Sequence, residues 1–405
     1  MNKILIISAL DIWSMGKNKG APSLWRTLKG YADNEWKVFF ITGNKDKNSI
    51  YNVHRNIEII RFDFPELKTF FNIKKVGFIA NSIWWLFFQI KSFLVGFRIA
   101  KKEKIDIFYG YETLGILVSY ILGKIFKKPT ISRFQGIWDL IFYINTFLGR
   151  WKHFQVMIGL KIPTNLLIMT NDGTEGDKVL KALNINMSKV KFWVNGIDKK
   201  LFDPNFNKEK FKENLGISKN KKILLAVSRL VRGKRVDRTI KAMPEVVKGY
   251  SDVELLVIGD GGERKKLENL AEELEVEGYI KFLGALPHQD LKNYYNLADI
   301  FISMYNVSNV GNPLLEAMSY GKCIITLDVG DTNKFIHNGE NGILLKSDKL
   351  ERLPYTIIDL LKNDKKRKLF GKKAREFADK NFWTWEERIG AEISAVSNLL
   401  KDNGK

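Results

Sequence analysis

KILLAVSRLVRGKRVD, Lys222–Asp237, joins an aliphatic run to a loop that carries Arg229 and Lys234. The run has the length and composition of a strand buried on both faces, which is the habit of parallel sheets. It is the first of a series: KILLAVS, VELLVIG, IKFLG, IFISM, CIITL and GILL. An earlier series, ILIIS, KVFFIT, IEIIRF, IDIFYG, PTISRF, NLLIMT and VKFWVN, fills the first half. Helical segments separate the runs, and parallel strands need such crossovers, so the pattern predicts an α/β protein of doubly wound layers. The stretch VNGIDKKLFDPNFNKEKF between the two series is the expected hinge. Ligands of open α/β sheets bind beyond the carboxyl ends of the strands, so a site is expected in the cleft between two such sheets.

A chain of 405 residues exceeds one typical core, and about 100 to 200 residues per domain implies two domains here. With 45% hydrophobic and 27% charged residues the composition is that of a globular protein. The single cysteine, Cys323, excludes an internal disulfide framework, and no Cys/His spacing matches a zinc site. MNKILIISALDIWSMG is interrupted by Asp11 and lacks a small-residue cleavage site, so it predicts a buried strand and not a signal peptide. The net charge is +21, and residues 1–200 hold 31 basic against 15 acidic residues, the remainder 35 against 30. An anionic partner is therefore expected at the first half. No nucleic-acid-binding motif accompanies the charge, which leaves an anionic lipid surface. VGFIANSIWWLFFQI, Val76–Ile90, is uncharged, flanked by lysines and, at 15 residues, shorter than the roughly 20 that span a bilayer. Two readings fit: a helix in the membrane interface with Trp84 and Trp85 at headgroup level, or a helix covering the first sheet.

Three elements of the second half fall at strand ends. Arg229 and Lys234 offer a planar fork and a point charge that suit a diphosphate, although a basic protein also carries such residues as solvated loop cations. Gly259, Gly261 and Gly262 make a tight turn after VELLVI. In SNVGNPLLEAMSYG, Ser308–Gly321, Asn312 suits the N-cap and Pro313 the first helical position. Glu316 then ends the first turn, the amides of Leu314 and Leu315 stay free for an anion, and Gly311 lets a ligand approach. Glu316 has the chemistry to accept from a ribose diol; it equally complements its own helix dipole.

In order and spacing these elements resemble the GT-B glycosyltransferases of the large retaining group called family 4. The resemblance rests on SRLVRGKRVD, VIGDGGERKKLE, FLGALPHQDLKNYYNLADIFIS, GNPLLEAMSYGKCIITLDVGDTNKFIHNGENGILL and VNGIDKKLF, and covers nearly the whole chain. It implies two Rossmann-like domains, 1–198 for the acceptor and 199–383 for the nucleotide sugar, with 384–405 as a helix crossing back to the first. It also implies that Arg229 and Lys234 bind the diphosphate of a UDP- or GDP-linked sugar, helped by the Leu314 and Leu315 amides, while Glu316 holds the ribose. SMGKNKGAP, with Gly16 and Gly20, matches the glycine-rich acceptor loop. The expected activity is transfer, with retention, to a lipid-linked or polysaccharide acceptor by a cytoplasmic protein peripheral on the inner face of the cell membrane. No Asp-x-Asp pair is present to hold a metal, so the two cations replace one. Two departures stand out: Ser308 where the group has a glutamate eight positions before Glu316, and Gln135 where many members carry a histidine. They fit an inactive relative or a subgroup with other sugar contacts, and the intact surrounding motif favours the second, with Ser308 and Asn309 on sugar hydroxyls. A nucleotide-sugar epimerase would need acid and base residues that the chain does not display; a non-catalytic sugar-nucleotide-binding subunit would bind without turnover.

Overall fold

The computed structural model of the chain describes residues 1–10, 22–43, 54–64, 77–137, 139–198, 203 and 205–402. Gly16 and Gly20 lie outside them. All thirteen apolar runs are strands. In the first sheet Lys3–Ile7 (β1), Lys37–Thr42 (β2), Ile57–Arg61 (β3), Ile107–Tyr111 (β4), Thr130–Phe134 (β5), Leu166–Thr170 (β6) and Val190–Trp193 (β7) are ordered β3-β2-β1-β4-β5-β6-β7. In the second, Lys222–Val227 (β8), Val253–Ile258 (β9), Ile280–Gly284 (β10), Ile300–Ser303 (β11), Cys323–Leu327 (β12) and Ile343–Leu345 (β13) are ordered β10-β9-β8-β11-β12-β13. Every pairing in both sheets is parallel. Helices cover both faces, which is why all six residues of β9 are buried and why its sequence does not alternate.

Two compact units result. One comprises Met1–Asn171, Gly176–Trp193 and Trp385–Lys405; the other comprises Val194–Thr384 together with the short segment Asp172–Glu175. That four-residue excursion after β6 carries no signal in the sequence.

The apolar segment of the first half belongs to a longer helix, Gly77–Glu103. Its 22 residues from Ser82 to Glu103 are long and apolar enough to cross a membrane, which corrects the shorter span expected. One side nevertheless packs on the first sheet: Phe88 and Ala100 join Leu5, Ile7 and Phe39 in one cluster. Trp84 and Trp85 are half-buried rather than outward-facing, Trp84 against Phe64 at 4.5 Å and Trp85 edge-on to Phe154. The exposed stripe is made instead by Ile83, Leu86, Phe87, Ile90, Leu94 and Phe97, which recur every three or four residues.

The last helix, Trp385–Asp402, is held to the first sheet by a buried charge cluster. Glu392 Oε2 accepts from Arg133 and from Arg388 at 3.0 Å each, and its Oε1 from the Tyr109 hydroxyl at 2.8 Å. Burial opposes the charge of Glu392, but the Arg133 and Arg388 guanidiniums outweigh it and hold the carboxyl below its ordinary range. Arg388 also lies over the Trp193 ring, 4.5 Å from its centroid.

Candidate active site

In the second sheet the order of strand addition reverses between β8 and β11, the switch point at which open α/β sheets bind ligands. Arg229 and Lys234 lie in the loop after β8, Arg229 exposed and Lys234 in a single turn, Arg232–Lys234. Lys234 Nζ donates to the Ser308 carbonyl at 3.0 Å and lies 4.3 Å from the centroid of the Tyr305 ring. Burial lowers its pKa to about 8, a fall that Asp172 restrains and Arg229 reinforces.

The neighbouring loop after β9 is stitched to this one. Leu230 donates its N–H to the Asp260 carbonyl at 2.9 Å, and Glu263 donates to that of Leu230 at 3.0 Å. Gly259 has φ 129°, and a Cβ there would collide with the Ser228 carbonyl, so the close approach requires glycine. The glycine turn thus sets the backbone from which Arg229 projects.

The loop after β11 differs from expectation in detail. The helix runs Asn312–Ser319 with extended Gly311 as its N-cap, so Asn312 is already helical and its Oδ1 accepts from Asn195 Nδ2 at 2.9 Å. The amides of Leu314 and Leu315 are not free: both point to the Gly311 carbonyl, at 3.0 and 3.3 Å. An earlier helix start supplies that acceptor, and it moves Glu316 into the second turn. Asn309 is only 1% exposed and donates to the Tyr305 carbonyl at 3.1 Å, so it braces the loop rather than facing a ligand. Ser308 is half-buried with φ 58°.

Glu316 borders a small pocket with Asp198, His288, Leu291, Tyr295 and Tyr320. Its Oε1 lies 2.9 Å from His288 Nε2. This partner is not legible in the chain's local pattern, because the pair is 28 residues apart and belongs to different helical turns. In the first unit, the Gln135 side-chain amide donates to the Tyr111 hydroxyl, its N–H donates to Glu112 Oε1 at 2.6 Å, and the Tyr111 hydroxyl donates to Ser23 Oγ at 3.2 Å. Gln135 is therefore fixed at the carboxyl end of β5. Among the described residues no group of three or more His, Cys, Asp or Glu is placed to hold a metal ion.

The fold defines a class, proteins built of two doubly wound α/β units. Residues 207–377 match the model of glycosyl transferases group 1, and the chain is a glycosyltransferase of GT-B fold. It is 26% identical over 374 residues to an uncharacterized glycosyltransferase, MJ1069, of Methanocaldococcus jannaschii, covering 88% of each chain. It is 30% identical over 200 residues to a GDP-mannose-dependent monoacylated alpha-(1-6)-phosphatidylinositol monomannoside mannosyltransferase of Corynebacterium glutamicum, covering 47% of this chain and 51% of that one. Anabaena HepE, solved in complex with UDP and glucose, has the same fold with a TM-score of 0.73 at 18% identity, over 98% of this chain and all of that one.

Proposed function

We propose that the chain transfers a sugar, with retention of anomeric configuration, from a nucleoside-diphosphate sugar to a lipid-linked or cell-surface polysaccharide acceptor. The observation that carries this reading is the switch point itself: two cations, Arg229 and Lys234, lie in the loop after β8, and a carboxylate, Glu316, lies on the helix that follows the adjacent strand β11. As the glycosidic bond breaks, charge grows on the departing diphosphate, and preorganised cations in a partly dry site stabilise it. Arg229 and Lys234 perform this task without a divalent ion. Glu316 exchanges His288 for the ribose hydroxyls. The acceptor attacks from the face that the diphosphate leaves, and the departing phosphate takes its proton, so neither Ser308 nor Gln135 serves as nucleophile or base.

UDP in the HepE complex and GDP-mannose in the name of the bacterial relative support a donor of this kind, and the latter's phosphatidylinositol acceptor supports a lipid-linked one. The exposed apolar stripe, with Lys91, Arg98, Lys101 and Lys102 on the same helix, supports action at an anionic membrane surface, on its cytoplasmic face. The test is turnover of UDP- and GDP-sugars with lipid acceptors in the presence of EDTA, with the product's anomeric configuration read by NMR. A sugar-bearing product of retained configuration is expected. An inverted product overturns the mechanism, magnesium rescue after EDTA overturns the role of the cations, and binding without turnover indicates a non-catalytic subunit.

A further inference from the structure

Asp172 opens the four-residue segment after β6 that belongs to the second unit, and its charge acts on Lys234. Its backbone carbonyl accepts from the Val310 N–H at 3.0 Å. The next residue, Gly173, has φ 87°, and a Cβ there would press on Val310 at 3.0 Å, so the segment lies flat on the 308–310 loop. Thr174 closes a turn on the Asp172 carboxylate, with its hydroxyl 2.6 Å and its N–H 3.2 Å from Oδ1. The Ser308 side chain also favours the charged form of that carboxylate. On the other side of Ser308, its carbonyl accepts from Lys234 Nζ. The segment after β6 thus backs the loop whose Ser308 carbonyl holds Lys234.

We propose that Asp172 is a positioning residue for Lys234, holding its ammonium charged and aimed so that it meets the diphosphate of the donor. This rests on the function proposed above and names a group that the cation pair needs. The charged groups facing Lys234 are Asp172 and Arg229, while the Tyr305 ring covers a further side. Arg229 and burial both favour the neutral amine; Asp172 opposes them. Of the three donors of the ammonium, one is used on the Ser308 carbonyl, which fixes the direction of the others. The carboxylate is satisfied by the Thr174 hydroxyl and N–H, so it supplies field to Lys234 without consuming the donors that a phosphate would take. The arrangement also explains why position 308 holds a small hydroxyl: a glutamate there would place a second carboxylate beside Asp172.

The test has two arms. In the first, the Lys234 side chain is titrated by NMR in the ligand-free, lysine-labelled protein, with Lys234→Arg used to assign its signal. The midpoint, about 8 in the parent chain, is expected to move to lower pH in Asp172→Asn and to return in Asp172→Glu. An unmoved midpoint in a folded Asp172→Asn protein overturns the proposal. In the second arm, binding of UDP and of GDP is followed by calorimetry from pH 6 to 9. Affinity is expected to fall several-fold at the alkaline end, earlier in Asp172→Asn. With Lys234→Arg, whose guanidinium does not titrate in this range, the alkaline fall is expected to vanish, and adding Asp172→Asn is expected to leave the profile flat. If Asp172→Asn does not fold, Thr174→Val, which removes one support of the carboxylate, is expected to shift the same midpoint, and no shift there counts against the proposal. A moved NMR midpoint with no binding of either nucleotide overturns the donor reading and leaves the Asp172–Lys234 coupling standing.

Discussion

Glu316 already has a partner, His288, and a ligand must replace it. On the proposed reading, removing the carboxylate leaves two ribose hydroxyls unpaired, so Glu316→Ala is expected to weaken nucleoside-diphosphate binding by about 1.5 to 3 kcal/mol, the range for hydrogen bonds to a charged group. Calorimetry with UDP and GDP checks this, with circular dichroism to show an unchanged fold; equal affinity sinks the assignment. Arg229→Ala is expected to lower kcat more than it raises KM, because its interaction grows as the leaving group gains charge. Steady-state kinetics separates the two, and a pure KM effect would make Arg229 a binding residue only. At this scale the sequence was partly legible. That Arg229, Lys234 and Glu316 lie beyond the carboxyl ends of β8 and β11 is legible locally, because the strands before them read as apolar runs. Asp172 and His288 do not stand out, because their relation to Lys234 and Glu316 exists only after distant loops are brought to one sheet edge.

Each strand was legible as an element because a parallel strand covered on both faces leaves an unbroken apolar run, as in VELLVI and CIITL. Helix ends were less so. Asn312 reads as an N-cap by residue type, yet its side chain is taken by Asn195, far away in sequence, and the cap falls to Gly311. The helix Gly77–Glu103 gave its apolar character away but not its orientation, since tryptophans suit both an interface and a packed flank. The structure therefore moves the membrane prediction to other residues. Replacing Leu86, Ile90 and Leu94 by serine is expected to reduce binding to anionic vesicles, and raised salt to weaken what remains. Trp84→Ala is instead expected to lower thermal stability, through loss of its contact with Phe64. Vesicle co-sedimentation and thermal melts distinguish the two; equal binding by the triple variant returns the stripe to a structural role. The charge cluster under the last helix makes a sharper prediction. Glu392→Gln leaves the buried Arg133 and Arg388 without a counter-charge and is expected to cost about 3 to 5 kcal/mol, the range for breaking a buried ion pair. Urea unfolding measures it, and a loss below 1 kcal/mol would mean that solvent reaches the cluster.

For the molecule as a whole, one lysine sets a pH dependence apart from the site. Lys322 is buried, donates to the carbonyls of Asn296 and Ala298, and has its pKa pulled down to about 7 by burial and by Lys208. An unfolded lysine titrates near 10.4, so between these values the unfolded chain holds a proton that the native one lacks. Stability from this group is therefore present at high pH and is lost as pH falls toward 7. Urea midpoints are expected to rise from about pH 7 to 8, below the range, from about 8.5 upward, where the buried Cys323 thiol, pushed up to about 12, acts in the opposite sense. Lys322→Met is expected to flatten the rise, and an unchanged slope would assign it elsewhere. The buried cluster of Glu392 has a consequence for biosynthesis. Arg133 leaves the ribosome 259 residues before its carboxylate partner. At about 5 to 20 residues per second, that is an interval of roughly 13 to 50 s. During it the nascent first sheet carries a guanidinium destined for the interior and an uncovered helix site. A stop codon in the last codons would accordingly be felt by the part of the protein made first, and holding chaperones should bind the nascent chain until the final helix emerges.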